Sequence, residues 1–284
     1  MKATRIIYIL LFLALLVPLI TARSIKPAYN VAAKRTFDYI EALPIEGANQ
    51  FGLLFLDYGP GTQAENQPQA SVIFEHLLRK KVPTILLTTY ALGEKFTKET
   101  VDKVLDRLQL EDPTRQFVYG QDYVILGYRP GANLFLQGIS QSQELSTFLG
   151  KDIRGIALNS YQAFQGLRTL SQVTVIGEFT GLVGFLNSYM QFLTIQGTTA
   201  PLVHGCTSIT IPETYIYADT GQLRGTLEGV SGAAYYSYLL QEQFAKRSAD
   251  DSLVVNTSLG IGQLYILALI ALGNIIEFAR RRSS

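Results

Sequence analysis

The sequence has few of the residues that most often carry enzyme chemistry. It contains one cysteine, Cys206, two histidines, His76 and His204, and no tryptophan. A single cysteine cannot form a disulfide within the chain, and two isolated histidines do not make the Cys/His cluster of a structural zinc site. We therefore predict no metal site, and the cysteine does not indicate a redox compartment.

The sequence also lacks an excess of either charge. Its 24 basic and 23 acidic side chains leave a formal net charge of +1. No global field therefore points to nucleic acid or to an acidic partner, and we predict no nucleic-acid binding. The 284 residues suffice for one domain of ordinary size plus membrane segments.

What the sequence does have is a long uncharged run near its C-terminal end. From Leu253 to Ile276 no charged residue appears, and the apolar core of this run, Leu259–Phe278, is followed by Arg280–Arg282. A run of this length can cross a bilayer, because a helix satisfies its backbone hydrogen bonds internally. We predict a transmembrane helix over 253–284 whose arginine tail stays in the cytoplasm.

A second apolar run lies at the N-terminal end. Ile6–Ala22 is uncharged and follows Lys2 and Arg5. Two interpretations compete for residues 1–22, a cleaved signal peptide and an uncleaved transmembrane anchor. The anchor is favoured, because the run is long for a signal peptide and cleavage after Ala22 leaves Ile20 where a small residue is preferred.

Two spans would place the domain between them, 23–252, on one side of the membrane. Basic residues flank the first span on both sides, so the predicted orientation depends on the arginine triplet at the end of the second span. We expect both termini in the cytoplasm and the domain outside it. Asn256-Thr257-Ser258 matches a glycosylation acceptor but adjoins the span, and we interpret the match as coincidence.

The middle domain alternates short apolar runs with helical patterns. Phe51–Asp57, Val82–Thr88 and Asp122–Tyr128 are typical of buried parallel strands, and Thr97 is the predicted N-cap of the second intervening helix. Looser matches follow: strands at 172–176 and 200–204, a helix over 182–195, and a glycine-rich segment over 129–152 expected to wrap the upper edge of the sheet. The predicted fold class is α/β, with a Rossmann-like doubly wound, mostly parallel sheet flanked by an N-terminal and a C-terminal transmembrane helix.

Small residues recur at a spacing of four in GQLRGTLEGVSGAAYYSYLL. They are Gly221, Gly225, Gly229 and Ala233. On a helix this spacing forms a flat stripe that another backbone can approach closely, which would compensate the cost of about 1 kcal/mol for each interior glycine. We predict a helix-packing surface here, with its partner inside the domain or on another subunit.

Three stretches resemble an uncharacterised group of prokaryotic membrane-anchored proteins. They are AENQPQ after the first strand, GQDYVILGYRPG around the third, and GQLRGTLEGVSGAAYY near the end. Proteins of that group have one extracytoplasmic Rossmann-like domain between terminal hydrophobic segments. The resemblance covers most of the middle domain and implies fold and topology. It implies no activity, because the group has none assigned.

The loop after the first strand is the candidate ligand-binding segment, because ligands of parallel α/β sheets bind at the carboxyl ends of the strands. Its candidate residues are Asp57, Gly59, Gly61, Thr62 and Glu65, and Gly-Pro-Gly-Thr has the composition to hold an anion with backbone amides. It has neither a Walker lysine nor a GxGxxG pattern, so we predict no cofactor. The simpler interpretation, a turn between strand and helix, is favoured.

Cys206 and His204 are the candidates for nucleophilic catalysis. Side chains two residues apart on a strand point the same way but seldom meet, whereas a thiol nucleophile needs a base within hydrogen-bonding reach. His76 falls off the apolar stripe of its helix and is expected to face solvent. We favour a buried, inert Cys206 over a catalytic one.

A last possible site is an acidic cluster at the upper edge of the sheet. It would gather Asp57, Glu65, Glu178 and Asp219 for acid–base or metal chemistry, but Glu65 and Asp219 are also placed to cap helices or turns. The sequence does not show that the four carboxylates converge.

Three functions remain open. The favoured one is a non-catalytic, membrane-anchored structural or interaction protein, a subunit of an assembly with copies of itself or with other membrane proteins. The second is an extracytoplasmic binding or sensor module for a small anionic ligand at the loop after the first strand. The third is a hydrolase that uses Cys206. The incomplete catalytic constellation favours a non-enzymatic role.

Overall fold

The computed structural model describes residues 2–44, 50–193 and 201–283. One parallel sheet lies at its centre, with the order β3-β2-β1-β4-β5-β6. Its strands are β1 (Phe51–Leu56), β2 (Thr84–Thr88), β3 (Tyr123–Tyr128), β4 (Val173–Thr180), β5 (Leu202–Cys206) and β6 (Leu223–Glu228). The strand order reverses between β1 and β4, which is the arrangement of a doubly wound Rossmann-like fold. The predicted fold class is confirmed.

Helices cover both faces of the sheet. In chain order the α-helices are α1 (Lys2–Thr21), α2 (Val31–Glu41), α3 (Gln63–Arg79), α4 (Glu94–Glu111), α5 (Ala132–Gln141), α6 (Leu145–Leu149), α7 (Phe185–Leu193), α8 (Ile211–Asp219), α9 (Gly229–Gln243) and α10 (Asp251–Ser283). Helices α2, α3, α4 and α9 pack on one face, and α5 to α8 pack on the other.

The strands are apolar on both faces because both faces are covered. On β1, Leu54 belongs to the core under α3, whereas Leu53 belongs to the core under α5 and α7. The same alternation places Val203 of β5 in the first core and Leu202 in the second. This double burial explains the continuous apolar runs that identified the strands in the sequence.

Several predicted boundaries need correction. Thr97 does not cap a helix, because α4 already begins at Glu94, and the Thr97 hydroxyl donates to the carbonyl oxygen of Gly93. The segment 129–152 does not wrap an edge of the sheet but folds into α5 and α6, which help to cover one face. The predicted strand 200–204 and helix 182–195 correspond to β5 and α7, and their residues 194, 195 and 200 lie outside the described part of the chain.

The predicted stripe of four small residues on one helix is wrong, because only Gly229 and Ala233 lie in the same helix. Gly221 lies in the turn before β6 with φ +73°, Gly225 is inside β6, and Gly229 begins α9 with φ +59°. A Cβ on Gly225 would lie 2.1 Å from Oγ1 of Thr36, so this glycine admits α2 against the sheet. The spacing of four therefore reflects separate local requirements, and only Gly229 and Ala233 are buried within one helix, α9, as expected.

The two terminal helices pack against each other in antiparallel orientation. Near the domain, the Ser258 hydroxyl donates to the carbonyl oxygen of Leu15 at 2.6 Å. Farther away, the Tyr265 hydroxyl donates to the carbonyl oxygen of Ile7 at 3.0 Å. Both helices are long and apolar enough to cross a membrane. The N-terminal end of α1 and the C-terminal end of α10 therefore point the same way.

Helix α10 starts inside the domain. It begins at Asp251, and its first two turns bury Leu253, Thr257 and Ser258. The Thr257 hydroxyl also accepts a hydrogen bond from the backbone amide of Ile25, which joins the segment after α1 to the same turn. The boundary predicted at residue 253 therefore divides a helix that the domain and the apolar segment share.

Candidate functional site at the carboxyl edge of the sheet

The predicted ligand residue Asp57 is fully buried directly after β1. Its carboxylate accepts four hydrogen bonds: from the Thr88 hydroxyl at 3.0 Å, from the Thr89 amide and hydroxyl at 2.6 and 2.9 Å, and from the Tyr189 hydroxyl. Burial raises the pKa of Asp57, and the four donors oppose that shift. Asp57 thus joins β1 to the end of β2 and to α7, and it faces protein rather than solvent.

The glycine-containing turn after Asp57 uses its amides internally. The amides of Thr62 and Gln63 donate to the carbonyl oxygen of Gly59, and those of Glu65 and Asn66 donate to that of Thr62. An anion cradle needs amides that point at the ligand. The ligand-binding prediction for Gly59, Gly61 and Thr62 stays a prediction, and these hydrogen bonds favour the alternative that the segment turns the chain into α3.

Glu65 connects this turn to the neighbouring loop. Its Oε2 accepts hydrogen bonds from the amide and hydroxyl of Ser208, at 2.9 and 2.7 Å. Ser208 lies between β5 and α8, so the contact joins two loops at the carboxyl edge of the sheet. Glu65 is half-buried and lines a cavity described below.

The AENQPQ stretch lies in α3, and two of its side-chain amides hydrogen-bond to the ends of β5 and β6. The Gln69 side-chain amide donates to the carbonyl oxygens of Cys206, Leu227 and Gly229, at 2.8, 3.0 and 3.0 Å. The Asn66 amide donates to that of Gly205 at 3.2 Å. Buried amides are stable here because they pair with carbonyl groups at the ends of β5 and β6 and at the start of α9.

A buried acid–base pair lies beside the point where the strand order reverses. Glu178 of β4 and His204 of β5 are partners in the sheet register, and Nδ1 of His204 is hydrogen-bonded to Oε2 of Glu178. Burial raises the pKa of Glu178, and His204 opposes that shift. Oε1 of Glu178 has no hydrogen-bond partner among the described residues.

Cys206 is not paired with His204. Its thiol lies 3.7 Å from the carbonyl oxygen of Leu227, whereas Nδ1 of His204 is used by Glu178. Burial raises the pKa of Cys206 to about 12. A thiol with this pKa is protonated near neutral pH and is a poor nucleophile, so the geometry favours the inert interpretation of Cys206.

The four predicted acidic residues do not form one cluster. Asp57 and Glu178 are neighbours, since Asp57 contributes to the raised pKa of Glu178. Glu65 is engaged by Ser208, and Asp219 is exposed at the C-terminal end of α8, at the opposite edge of the sheet. Within the described residues no group of three His, Cys, Asp or Glu side chains is arranged to hold a metal ion.

His76 does not face solvent, as the sequence had suggested, but is fully buried. Its Nδ1 lies 2.6 Å from the hydroxyl oxygen of Tyr236, and its Nε2 lies 2.8 Å from Oε2 of Glu41. Burial lowers the pKa of His76 to about 4. The prediction failed because α2 and α9 cover the side of α3 that would otherwise be exposed.

A cavity of about 740 Å³ lies where the domain meets α10. Glu65 and Ser208 line it from the carboxyl edge of the sheet, Asn256 and Gln263 from α10, and Lys26 from the segment after α1. Its volume is within the range of small-molecule sites. Its walls come from segments far apart in the chain, so no local sequence pattern indicates this cavity.

Sequence reasoning also missed a buried ion cluster. The carboxylate of Glu75 in α3 contacts Arg79, Arg107 and Arg247, and Arg247 also contacts Asp250. The spacing of Glu75 and Arg79 is that of a helical ion pair. Arg247 and Asp250, by contrast, resemble an ordinary charged linker in the sequence.

No known protein family, no curated protein and no solved structure matches this chain.

Proposed function

We propose that this protein is a non-catalytic, membrane-anchored interaction protein that serves as a subunit of a membrane-associated assembly. Its partners would be copies of itself or other membrane proteins. The observation that carries the proposal is the junction between the domain and α10, which is built without a flexible linker.

Both connections of the domain are fixed at this junction. Arg247 is completely buried between Glu75 and Asp250, one turn before α10 begins. On the other side, the amide of Ile25 is bonded to Thr257. A domain that acts on diffusing substrates needs only a flexible tether, whereas a fixed junction holds a surface at a set height and orientation. This arrangement suits a subunit that must meet a partner in the same membrane.

The antiparallel pair of α1 and α10 supports retention of the N-terminal segment. Leu15 packs on Gly262, where an added Cβ would lie 2.6 Å from Cδ2 of Leu15. A cleaved signal peptide has no need for a complementary surface on α10.

The proposed topology has both termini in the cytoplasm with Arg280–Arg282, and the domain outside it. Green fluorescent protein fused after Ser284 and expressed in a bacterium should fluoresce; a dark, intact fusion in the membrane would contradict this topology.

The assembly is tested by the mass of the full chain extracted from its native membrane in mild detergent. We expect a complex larger than the monomer, with its components in fixed stoichiometry. A monodisperse monomer would overturn the proposal. A second variant tests the need for the fixed junction. It has about ten Gly and Ser residues inserted between Val255 and Asn256, which leaves the Glu75 ion cluster intact but separates the apolar part of α10 from the domain by a flexible linker. This variant should reach the membrane and lose the assembly.

The cavity at the junction favours a second candidate, a binding or sensor module. It offers Lys26 as a cation and Glu65 as a carboxylate, so an anionic group would bind at its Lys26 end. Inorganic phosphate and small carboxylates should then raise the thermal unfolding temperature of the full chain in detergent. Lys26→Gln should abolish the increase, and an equal increase in that variant would exclude this site.

A further inference from the structure

We propose that the carboxyl edge of the sheet lies directly on the bilayer, with the loops that follow the strands in contact with lipid. The proposal rests on the proposed membrane anchoring and adds where the domain sits. In this orientation the edge of the sheet at which Rossmann-like folds bind ligands faces the membrane.

The path of α10 indicates which edge of the sheet faces the membrane. Leu259 and Gln263 line the cavity whose other walls include Glu65 and Ser208, and those two residues belong to loops at the carboxyl edge. Earlier residues of α10, such as Leu253, are buried in the domain. The helix therefore passes the carboxyl edge at about Leu259–Gln263 and leaves the domain there.

The length of the apolar segment leaves no room for a gap. Leu259–Phe278 contains roughly 20 residues and spans about 30 Å as a helix, which equals the hydrocarbon thickness of a typical bilayer. Since Leu259 is already at the level of the loops, the hydrocarbon must begin close to them.

The loops at this edge have the composition of a membrane-contacting surface. Exposed apolar side chains occupy four of them: Leu92 after β2, Leu134 at the start of α5, Val183 after β4 and Ile209 after β5. A bilayer that lies against this edge would cover these four side chains together, although they belong to separate loops.

Charge is distributed unequally between the two edges. The carboxyl-edge loops 57–62, 89–93, 129–131, 181–184 and 207–210 contain only Asp57 and Arg129 as charged residues. Asp57 is buried, and the Arg129 guanidinium donates to the carbonyl oxygens of Leu149 and Lys151. Other carboxylates lie at this edge as well: Glu228 is the last residue of β6, and Glu65, Glu94 and Glu213 lie in the first turns of helices.

The opposite edge is charged. Its described loops include 80–83, 112–122 and 219–222, and they contain the charged residues Lys80, Lys81, Asp112, Arg115, Asp122 and Asp219. The carboxyl-edge loops thus contain fewer charged residues, two against six in the loops named, and this inequality is expected of a domain that rests on lipid with one edge.

The chain contains no tryptophan, so one introduced tryptophan is a unique fluorescent reporter. Ile209→Trp and Val183→Trp place it at the carboxyl edge. Leu110→Trp is a matched control at the opposite edge, since Leu110 is 84% exposed and Ile209 is 86% exposed. Leu267→Trp places the reporter in the apolar part of α10, where the side chain is 60% exposed.

Each full-length variant is reconstituted in phosphatidylcholine vesicles, with or without a spin label near the top of the lipid acyl chain. We expect lipid quenching for Ile209→Trp and Val183→Trp, with quenching by aqueous acrylamide several-fold weaker than for Leu110→Trp. Strong acrylamide quenching of both edge reporters without lipid quenching would overturn the proposal. Protection from both quenchers would overturn it too, since a protein would then cover the edge.

The Leu267→Trp reporter separates this proposal from the membrane anchoring on which it depends. Lipid quenching of Leu267→Trp together with aqueous edge reporters would leave the anchor intact and overturn only the contact of the edge with lipid. Absence of lipid quenching at Leu267→Trp would overturn the anchor, and the edge contact with it.

Discussion

Arg247 and Glu75 form a bidentate ion pair inside the protein, 172 residues apart in the chain. Nε of Arg247 lies 2.8 Å from Oε1 of Glu75, and Nη2 lies 3.0 Å from Oε2. Both side chains are completely buried. The neighbouring arginines hold the pKa of Glu75 at about 2, despite its burial. The pair couples α3, at the centre of the domain, to the segment that leads into α10.

Arg247→Met should destabilise the protein strongly. It leaves Asp250 without its closest cation and removes one of the three arginines around Glu75. Removing one partner of a buried ion pair costs about 3–5 kcal/mol. For a domain of this size that corresponds to a fall of roughly 10 °C in the thermal unfolding temperature of the full chain in detergent, followed by near-ultraviolet circular dichroism.

Lys246→Met is the matched control for this change. Lys246 is the preceding residue and is exposed, so its replacement should alter stability by less than about 0.5 kcal/mol. Equal unfolding temperatures for the two variants would show that the ion pair does not stabilise the junction.

Gln69→Leu should also destabilise the protein, through unpaired carbonyl groups. The Gln69 amide donates to Cys206, Leu227 and Gly229, and leucine keeps the volume but removes the donor. Buried acceptors left without a partner cost about 1–3 kcal/mol. Gln63→Leu on the same helix is the control, because the Gln63 amide donates to the side chain of Gln67 in a half-buried position. Similar urea midpoints for both variants would contradict the stabilising role of the Gln69 hydrogen bonds.

The central part of the fold could be predicted because its pattern is local. Phe51–Asp57 and Asp122–Tyr128 are continuous apolar runs apart from the aspartate at one end of each, and the structure confirms strands there. β6 was missed because Gly225 and Gly229 stand four residues apart, as on a helix. The need for glycine at Gly225 comes from Thr36 in α2, about 190 residues earlier, and no local pattern records such a contact.

The candidate site was harder to predict for the same reason. Asp57 was identified as a residue at the carboxyl end of β1, but its partner Tyr189 comes from α7 and is found only in the folded chain. Arg247 resembled a solvated linker residue because burial of a charge depends on a distant partner. Charge and strand position are visible in a sequence, whereas the pairing that decides between a ligand site and a structural contact is not.

His76 should make the protein less stable in mild acid. In the unfolded chain histidine binds a proton below a pH of about 6.5, whereas burial lowers the pKa of folded His76 to about 4. Between these values the unfolded state binds more protons, so acidification favours unfolding. The contribution of His76 to the free energy of unfolding is complete above pH ~6.5 and is lost as the pH falls towards 4. The shift in the pKa of His76 corresponds to roughly 3 kcal/mol.

The comparison that isolates this effect uses His76→Gln. Glutamine can donate to Glu41 and accept from Tyr236 but does not titrate in this range. Asp57 and Glu178 have raised pKa values and act in the opposite direction, but they are present in both proteins and cancel. The free energy of unfolding of the wild type should fall more steeply than that of His76→Gln between about pH 6.5 and 4. Parallel curves would mean that His76 does not titrate as its burial requires.

Cys206 should be almost unreactive in the folded protein. With its pKa raised to about 12, on the order of one thiol in ten thousand is ionised at about pH 8, and the thiolate is the reactive form. The rate of reaction with an aromatic disulfide reagent should therefore increase by orders of magnitude on denaturation. The control is Ser208→Cys in a Cys206→Ser background, which places an exposed thiol two residues away.

The rates of thiol labelling test the hydrolase hypothesis more directly than an activity screen, because their measurement needs no substrate. A nucleophilic cysteine requires both a lowered pKa and access for a substrate, and either would make the native thiol react at a rate close to that of the Ser208→Cys control. Slow labelling of Cys206 beside fast labelling of the control would remove the thiol as a nucleophile while leaving the Glu178–His204 pair untouched. Fast labelling of the native thiol would contradict the burial of Cys206 and would restore the third function as a candidate.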